Sequence, residues 1–213
     1  MSVFLVVLAG IFPLPTTTFM LQTAMRNGPY RYQWKPYPQI APEMALAAIA
    51  AEDQGFPQHS GFDFDAIQGA IADYGRGGKL RGASTISQQV AKNLFLWPGR
   101  SAIRKGLEAW FTVLIEFFWS KERILLVYLN VAQFGDRVFG VGAASRQFFQ
   151  VPARDLTAAE AALLAAVLPG PELYDVENPS YEVLDKQDWI LRQMGQLGGT
   201  DYLQRLYDSE KDG

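Results

Sequence analysis

Apolar residues recur at helical spacing along most of this chain, punctuated by proline, glycine and capping residues. PEMALAAIAAED opens at Pro42 and continues with strong helix formers. DFDAIQGAIADY predicts a second helix, ending in GRGGKLRG, and STISQQVAKNLFL a third, broken by WPGR. SAIRKGLEAWFTVLIEFFWS predicts a long helix behind the N-cap Ser101, followed by KERILLVYLNVAQFG and the short GVGAASRQFF. LTAAEAALLAAVLPG runs from Thr157, with Glu160 at capping-box spacing, to Pro169. YEVLDKQDWILRQMGQLGG closes the series at its glycines. No alternating strand run, internal repeat or low-complexity tract interrupts it, so the expected class is all-α.

The first 25 residues carry no charged side chain. MSVFLVVLAGIF is strongly apolar and precedes Pro13, Pro15 and three threonines. As one helix, Ser2 to Leu21 would measure about 30 Å, just enough to span a bilayer. A membrane anchor over residues 1–25 is the expected reading, with a signal peptide or a buried helix as alternatives. The basic flank of a signal peptide is missing, which fits a chain that begins inside its anchor. RNGPYRYQWKPYPQ then mixes cations and amphipathic aromatics, as a linker over residues 26–40 at headgroup level would; a plain surface loop fits as well. Residues 41–213 form the expected domain.

Composition narrows the chemistry. The 213 residues suffice for one sizeable domain or a large and a small lobe. A net charge of −3 gives no basic field for nucleic acid. The absence of cysteine excludes disulfides and thiol catalysis, and a single histidine cannot build a His-rich metal site.

Three polar constellations stand out. In AAEDQGFPQHSGFD, Glu52 and Asp53 end an Ala-rich helix, where the dipole disfavours negative charge. A carboxylate walled in there by Phe56 and Phe62 would have its pKa raised, as a general base or acid needs; an exposed acidic turn with a structural His59 is the plainer reading. In RGASTISQQVAKNLFL, Ser84, Gln88 and Lys92 stand at i, i+4 and i+8 and share a helix face. Gly82 and Ser84 open that helix beside Lys79 and Arg81, which suits a diphosphate; a solvated polar face is the alternative. No GxxxxGK[ST] loop is present. In RKGLEAWFTVLIEFFWS, Glu108, Thr112 and Glu116 draw one polar stripe through a very apolar helix. Arg104 and Lys105 lie within a turn of Glu108, as a buried ion pair would also place them. Two carboxylates on separate helices with cations between them point to glycosyl chemistry.

These segments together carry a resemblance. EDQGFPQHSGFD, GASTISQQVAKNLFL, RKGLEA, KERILLVYLN and EAALLAAVLPGP, in that order, resemble the five motifs of the peptidoglycan glycosyltransferases, over about Ala41 to Leu197. The chain is most similar to the monofunctional, membrane-anchored biosynthetic branch, without transpeptidase activity. The resemblance implies a lysozyme-like all-α fold with a large head lobe, a smaller membrane-facing jaw lobe and a cleft between. It implies polymerisation of lipid II, with the growing glycan strand as donor. Glu52 is then the general base on the acceptor's 4-hydroxyl. Glu108 is the second acid, near the donor diphosphate, with Mg2+ or Mn2+ held through that diphosphate and no organic cofactor. Lys92, Arg104 and Lys105 are diphosphate or scaffold cations, and Ser84, Thr85, Gln88 and Gln89 the donor-side wall. Asp53, Phe56, His59, Gly61 and Asp63 support the first motif; Gly82, Asn93, Glu116, Tyr128 and Asn130 support the others. The implied setting is the bacterial inner membrane, single-pass, with the catalytic domain on the periplasmic side. Other cell-wall synthesis or division proteins are implied partners, and nucleic acid is not. Two positions depart from the pattern: Gln133 and Gly142 stand where glutamates are expected. A lytic transglycosylase or lysozyme-like hydrolase shares the fold but needs no diphosphate cations, and a tethered scaffold would leave the two acids unexplained.

Overall fold

Nearly every apolar run above folds as a helix in the computed structural model, which describes residues 1–75, 84–99 and 101–208. In chain order the elements are α1 (Ser2–Ile11), α2 (Thr18–Asn27), β1 (Arg31–Tyr32), α3 (Pro42–Glu52) and α4 (Phe64–Gly75). Then come α5 (Ile86–Phe95), α6 (Ala102–Phe118), α7 (Lys121–Val131), β2 (Gln133–Gly135), β3 (Val138–Phe139) and α8 (Val141–Ala144). The chain closes with α9 (Ala158–Val167), α10 (Tyr181–Gln196) and α11 (Gln204–Asp208).

α3 is the centre of the molecule. Every residue from Met44 to Ala50 is buried. A helix apolar all round is stable only when enclosed, and α9 and α10 supply the enclosure. α5 packs on α6 and α7 as a second group of helices. A three-stranded sheet, ordered β1-β3-β2, ties residues 31–32 to the turn after α7. Its strands of two or three residues are too short for alternating side chains to mark them in the sequence. They also end α7 at Val131, short of the Gly135 expected.

The N-terminal segment differs from expectation. One helix from Ser2 to Leu21 is replaced by two, because Pro13 and Pro15 lack the N–H that a helix needs and restrict the residues before them. No helix among the described residues is long and apolar enough to cross a membrane. α1 and α2 do not stand apart from the domain, as a detachable tether would. Trp119 Nε1 donates to Val6 O at 2.9 Å, and Arg123 Nη2 donates to Ala9 O at 2.7 Å and Phe12 O at 2.5 Å. Met20 is fully buried in the core. Residue 25 therefore marks no break in packing.

α6 is inverted relative to an ordinary surface helix. Its polar stripe, Glu108–Thr112–Glu116, turns inward on α5, and its apolar stripe turns out: Ile103 is 76% exposed, Trp110 51% and Phe117 78%. Val3, Phe4, Leu5 and Leu8 of α1, which packs on α6, are exposed too.

Candidate active site

Glu52 is the last residue of α3, and its Oε2 accepts from Gln89 Nε2 of α5 at 2.7 Å. Burial pushes its carboxyl pKa up, against the opposing pull of Gln89, Lys186 and Lys92. The wall is not the one expected. Phe56 is turned into the core, edge-on to His59, with the Lys121 ammonium over its ring. Trp189 of α10 lines the hollow beside Glu52, together with Asp53, Ser84 and Thr85. Nothing local in the sequence marks Lys186 and Trp189 as site residues; one helical turn apart on α10, they depend on its packing against α3.

Asp53 is buried, not part of an exposed turn. Its Oδ1 accepts from His59 Nε2 at 2.8 Å and its Oδ2 from the backbone N–H of Ile86 at 2.9 Å. His59 Nδ1 accepts from Gly61 N, so the ring proton lies on Nε2. The free N–H groups expected to bind phosphate at the start of α5 are thus taken in part by Asp53, a carboxylate placed where the helix dipole favours it. Thr85, not Ser84, is the N-cap, and Gln88 folds back to complete a capping box. Thr85 and Gln88 are buried, which turns that face of α5 into the protein. The expected line of Ser84, Gln88 and Lys92 is not what the cleft presents. Gln89, Lys92 and Asn93 face it instead, with Tyr128, around a hollow of about 320 Å3. Gly82, Lys79 and Arg81 lie outside the described residues.

Glu108 is 3% exposed. Arg104 Nη1 donates to it at 2.8 Å and Lys105 Nζ also donates to it. Lys92 joins the two acids electrostatically: burial lowers its pKa, while Glu108 and Glu52 both pull it back up. Glu116 accepts from Ser87 Oγ and, at 2.8 Å, from Lys121 Nζ, which also donates to His59 O at 2.5 Å. Gly61, at φ +87°, lets the first-motif loop press on α6; a Cβ there would lie 2.7 Å from Thr112 Cγ2. Asp63 accepts from Ala66 N at 2.8 Å at the start of α4.

The supporting residues divide by partner. Tyr128 OH lies 3.4 Å from Gln89 Oε1, extending the Gln89–Glu52 bond into a chain. Asn130, fully buried, clamps the linker: its Oδ1 accepts from Lys35 N at 2.7 Å and its Nδ2 donates to Lys35 O at 2.9 Å. Gly142 has a spatial reason. A Cβ there would lie 2.4 Å from Gln33 O, so the linker occupies the room a glutamate would need. Gln133 donates from Nε2 to Gly135 O at 3.0 Å and lies 3.4 Å from Glu172 Oε1.

The donor set does not suit a metal ion held by the protein alone. Glu108 is already paired with two cations, and among the described residues no three His, Asp or Glu side chains converge as ligands. The same cations suit a diphosphate.

The cleft sets a carboxylate whose charge burial disfavours on one side of the Gln89 amide and the half-buried Lys92 ammonium on the other, an acid–base group beside a cation in one helical groove. The chain belongs to the transglycosylase family, whose sequence model matches residues 20–195. It is 52% identical, over 99% of its length and 90% of the relative's, to a biosynthetic peptidoglycan transglycosylase of Pseudomonas fluorescens. It is 53% identical to proteins of the same name from Shigella boydii and Escherichia coli, each time over 94% of this chain and 86% of the relative.

Proposed function

We propose that this protein polymerises lipid II into linear peptidoglycan strands. The observation that carries the reading is the Gln89–Glu52 bond, which stands between two hollows. The Glu52 side takes the acceptor and the Lys92 side the donor diphosphate. Glu52 removes the proton from the acceptor's GlcNAc 4-hydroxyl as that oxygen attacks C1 of the donor MurNAc. The bond from C1 to the diphosphate breaks on the opposite face, its electron pair leaving with undecaprenyl diphosphate, and a β-1,4 bond forms with inversion. Lys92, Arg104 and Lys105 offset the charge on the leaving group. Glu108 acts by holding the last two in place. Mg2+ or Mn2+, in this reading, arrives with the diphosphate.

The reaction belongs at the outer face of the cytoplasmic membrane, where the lipid tail of the substrate stays in the bilayer. The exposed apolar faces of α1 and α6 support contact with that bilayer. Incubating the purified protein with labelled lipid II in detergent tests the reading. Long glycan chains are expected. Cleavage of preformed strands without polymerisation would make it a hydrolase, and no turnover of either would leave a scaffold.

A further inference from the structure

We propose that α2 is a working wall of the donor hollow: Thr18 sets the end of α5, and with it the position of Lys92, while Phe19 offers an aromatic face to the donor sugar. Both residues lie just ahead of residue 20, where the family match begins. The proposal rests on the donor assignment above.

The last carbonyls of a helix have no partner within it. At the end of α5, Thr18 Oγ1 lies 3.0 Å from Leu94 O and 2.7 Å from Leu96 O, sharing its one proton between them. Leu96 N in turn donates to Lys92 O at 3.1 Å. One hydroxyl thus reaches the backbone of Lys92 through a single intervening residue. Thr18 is itself fixed. Thr17 caps α2 by accepting from Met20 N, and Met20 is fully buried. Phe19, between these anchors, lines the hollow with Gln89, Lys92 and Asn93. An aromatic face beside side-chain amides is what a sugar ring, apolar on its flat faces and polar at its rim, requires.

Three variants test this: Thr18→Val, which keeps shape but loses the hydroxyl, Thr18→Ser, which restores it, and Phe19→Leu, which keeps an apolar side chain without the flat face. The readouts are kcat and KM for lipid II in detergent, and binding of moenomycin, a phosphoglycolipid donor mimic, by polarisation. Thr18→Val is expected to raise KM and the moenomycin Kd by roughly three- to tenfold, the size of one net hydrogen bond. Its kcat should fall as well, because a displaced Lys92 also loses hold of the leaving group, and Thr18→Ser should return all three values to near wild type. Phe19→Leu should weaken moenomycin by a similar factor and leave binding of undecaprenyl diphosphate, which has no sugar, unchanged. Unaltered KM and Kd, or a fall in kcat alone that Thr18→Ser does not rescue, would reduce Thr18 to a structural cap. Equal weakening of undecaprenyl diphosphate by Phe19→Leu would remove the sugar contact. If wild type does not polymerise lipid II, the donor assignment falls, and moenomycin binding still reports whether α2 shapes the hollow.

Discussion

Glu52 is an acid whose surroundings resist its own charge. Its raised pKa places the acid limb of kcat/KM above the ordinary glutamate range of about 4.3, readable from a pH–rate profile. Glu52→Gln keeps the shape but cannot take a proton, and polymerisation should fall by about 10²–10⁴-fold; a folded variant with more than a tenth of the wild-type rate would take the role from Glu52. Stability should move the other way. A folded pKa above the unfolded one means that ionisation destabilises the native state as pH rises through the folded value. Glu52→Gln should therefore melt higher than wild type at pH 8, with the gap closing below the ordinary glutamate range. Lys92→Ala should weaken moenomycin binding and leave the fold intact, with polarisation and circular dichroism as the two measurements. The place of Glu52 was legible because a helix end, a carboxylate and a proline fall together in one short stretch. Its partners Lys186 and Trp189 were not, since only the packing of α10 on α3 brings them near.

At the scale of elements, helix spans were readable and helix faces less so. Spacing at i, i+4 and i+8 assigned Ser84, Gln88 and Lys92 to one working face. The same letters held the contrary signal: Thr85-Ile-Ser-Gln88 is a capping box, and a glutamine spent on a cap does not serve a cleft. The sequence shows the stripe on α6 but not its direction, because periodicity separates two faces and does not say which of them meets water. Gly61→Ala tests the contact of the first-motif loop with this stripe. The positive φ and the contact with Thr112 should together destabilise the protein by about 1–3 kcal/mol, measured as a lower midpoint in urea. An unchanged midpoint would mean that the loop does not depend on α6.

Over the whole molecule, the expected division at residue 25 is where sequence and structure part most. A chain beginning at Arg26 would lose α1, α2 and the hydroxyl that caps α5. It should melt lower than the full chain and polymerise poorly even in detergent. Liposome flotation should still capture it, more weakly, through the outer face of α6. A shortened chain with full stability and rate would restore the detachable tether. Anchors and domains are told apart in sequence by charge and hydropathy, whereas the contacts of Trp119 and Arg123 with α1 are long-range and leave no local trace. Gly142 carries a consequence for protein engineering. The linker carbonyl of Gln33 fills the space of its missing side chain, so position 142 and the course of residues 33–35 form one unit. Chimeras that exchange this linker with a relative bearing a glutamate there should express only when both pieces are taken from the same parent.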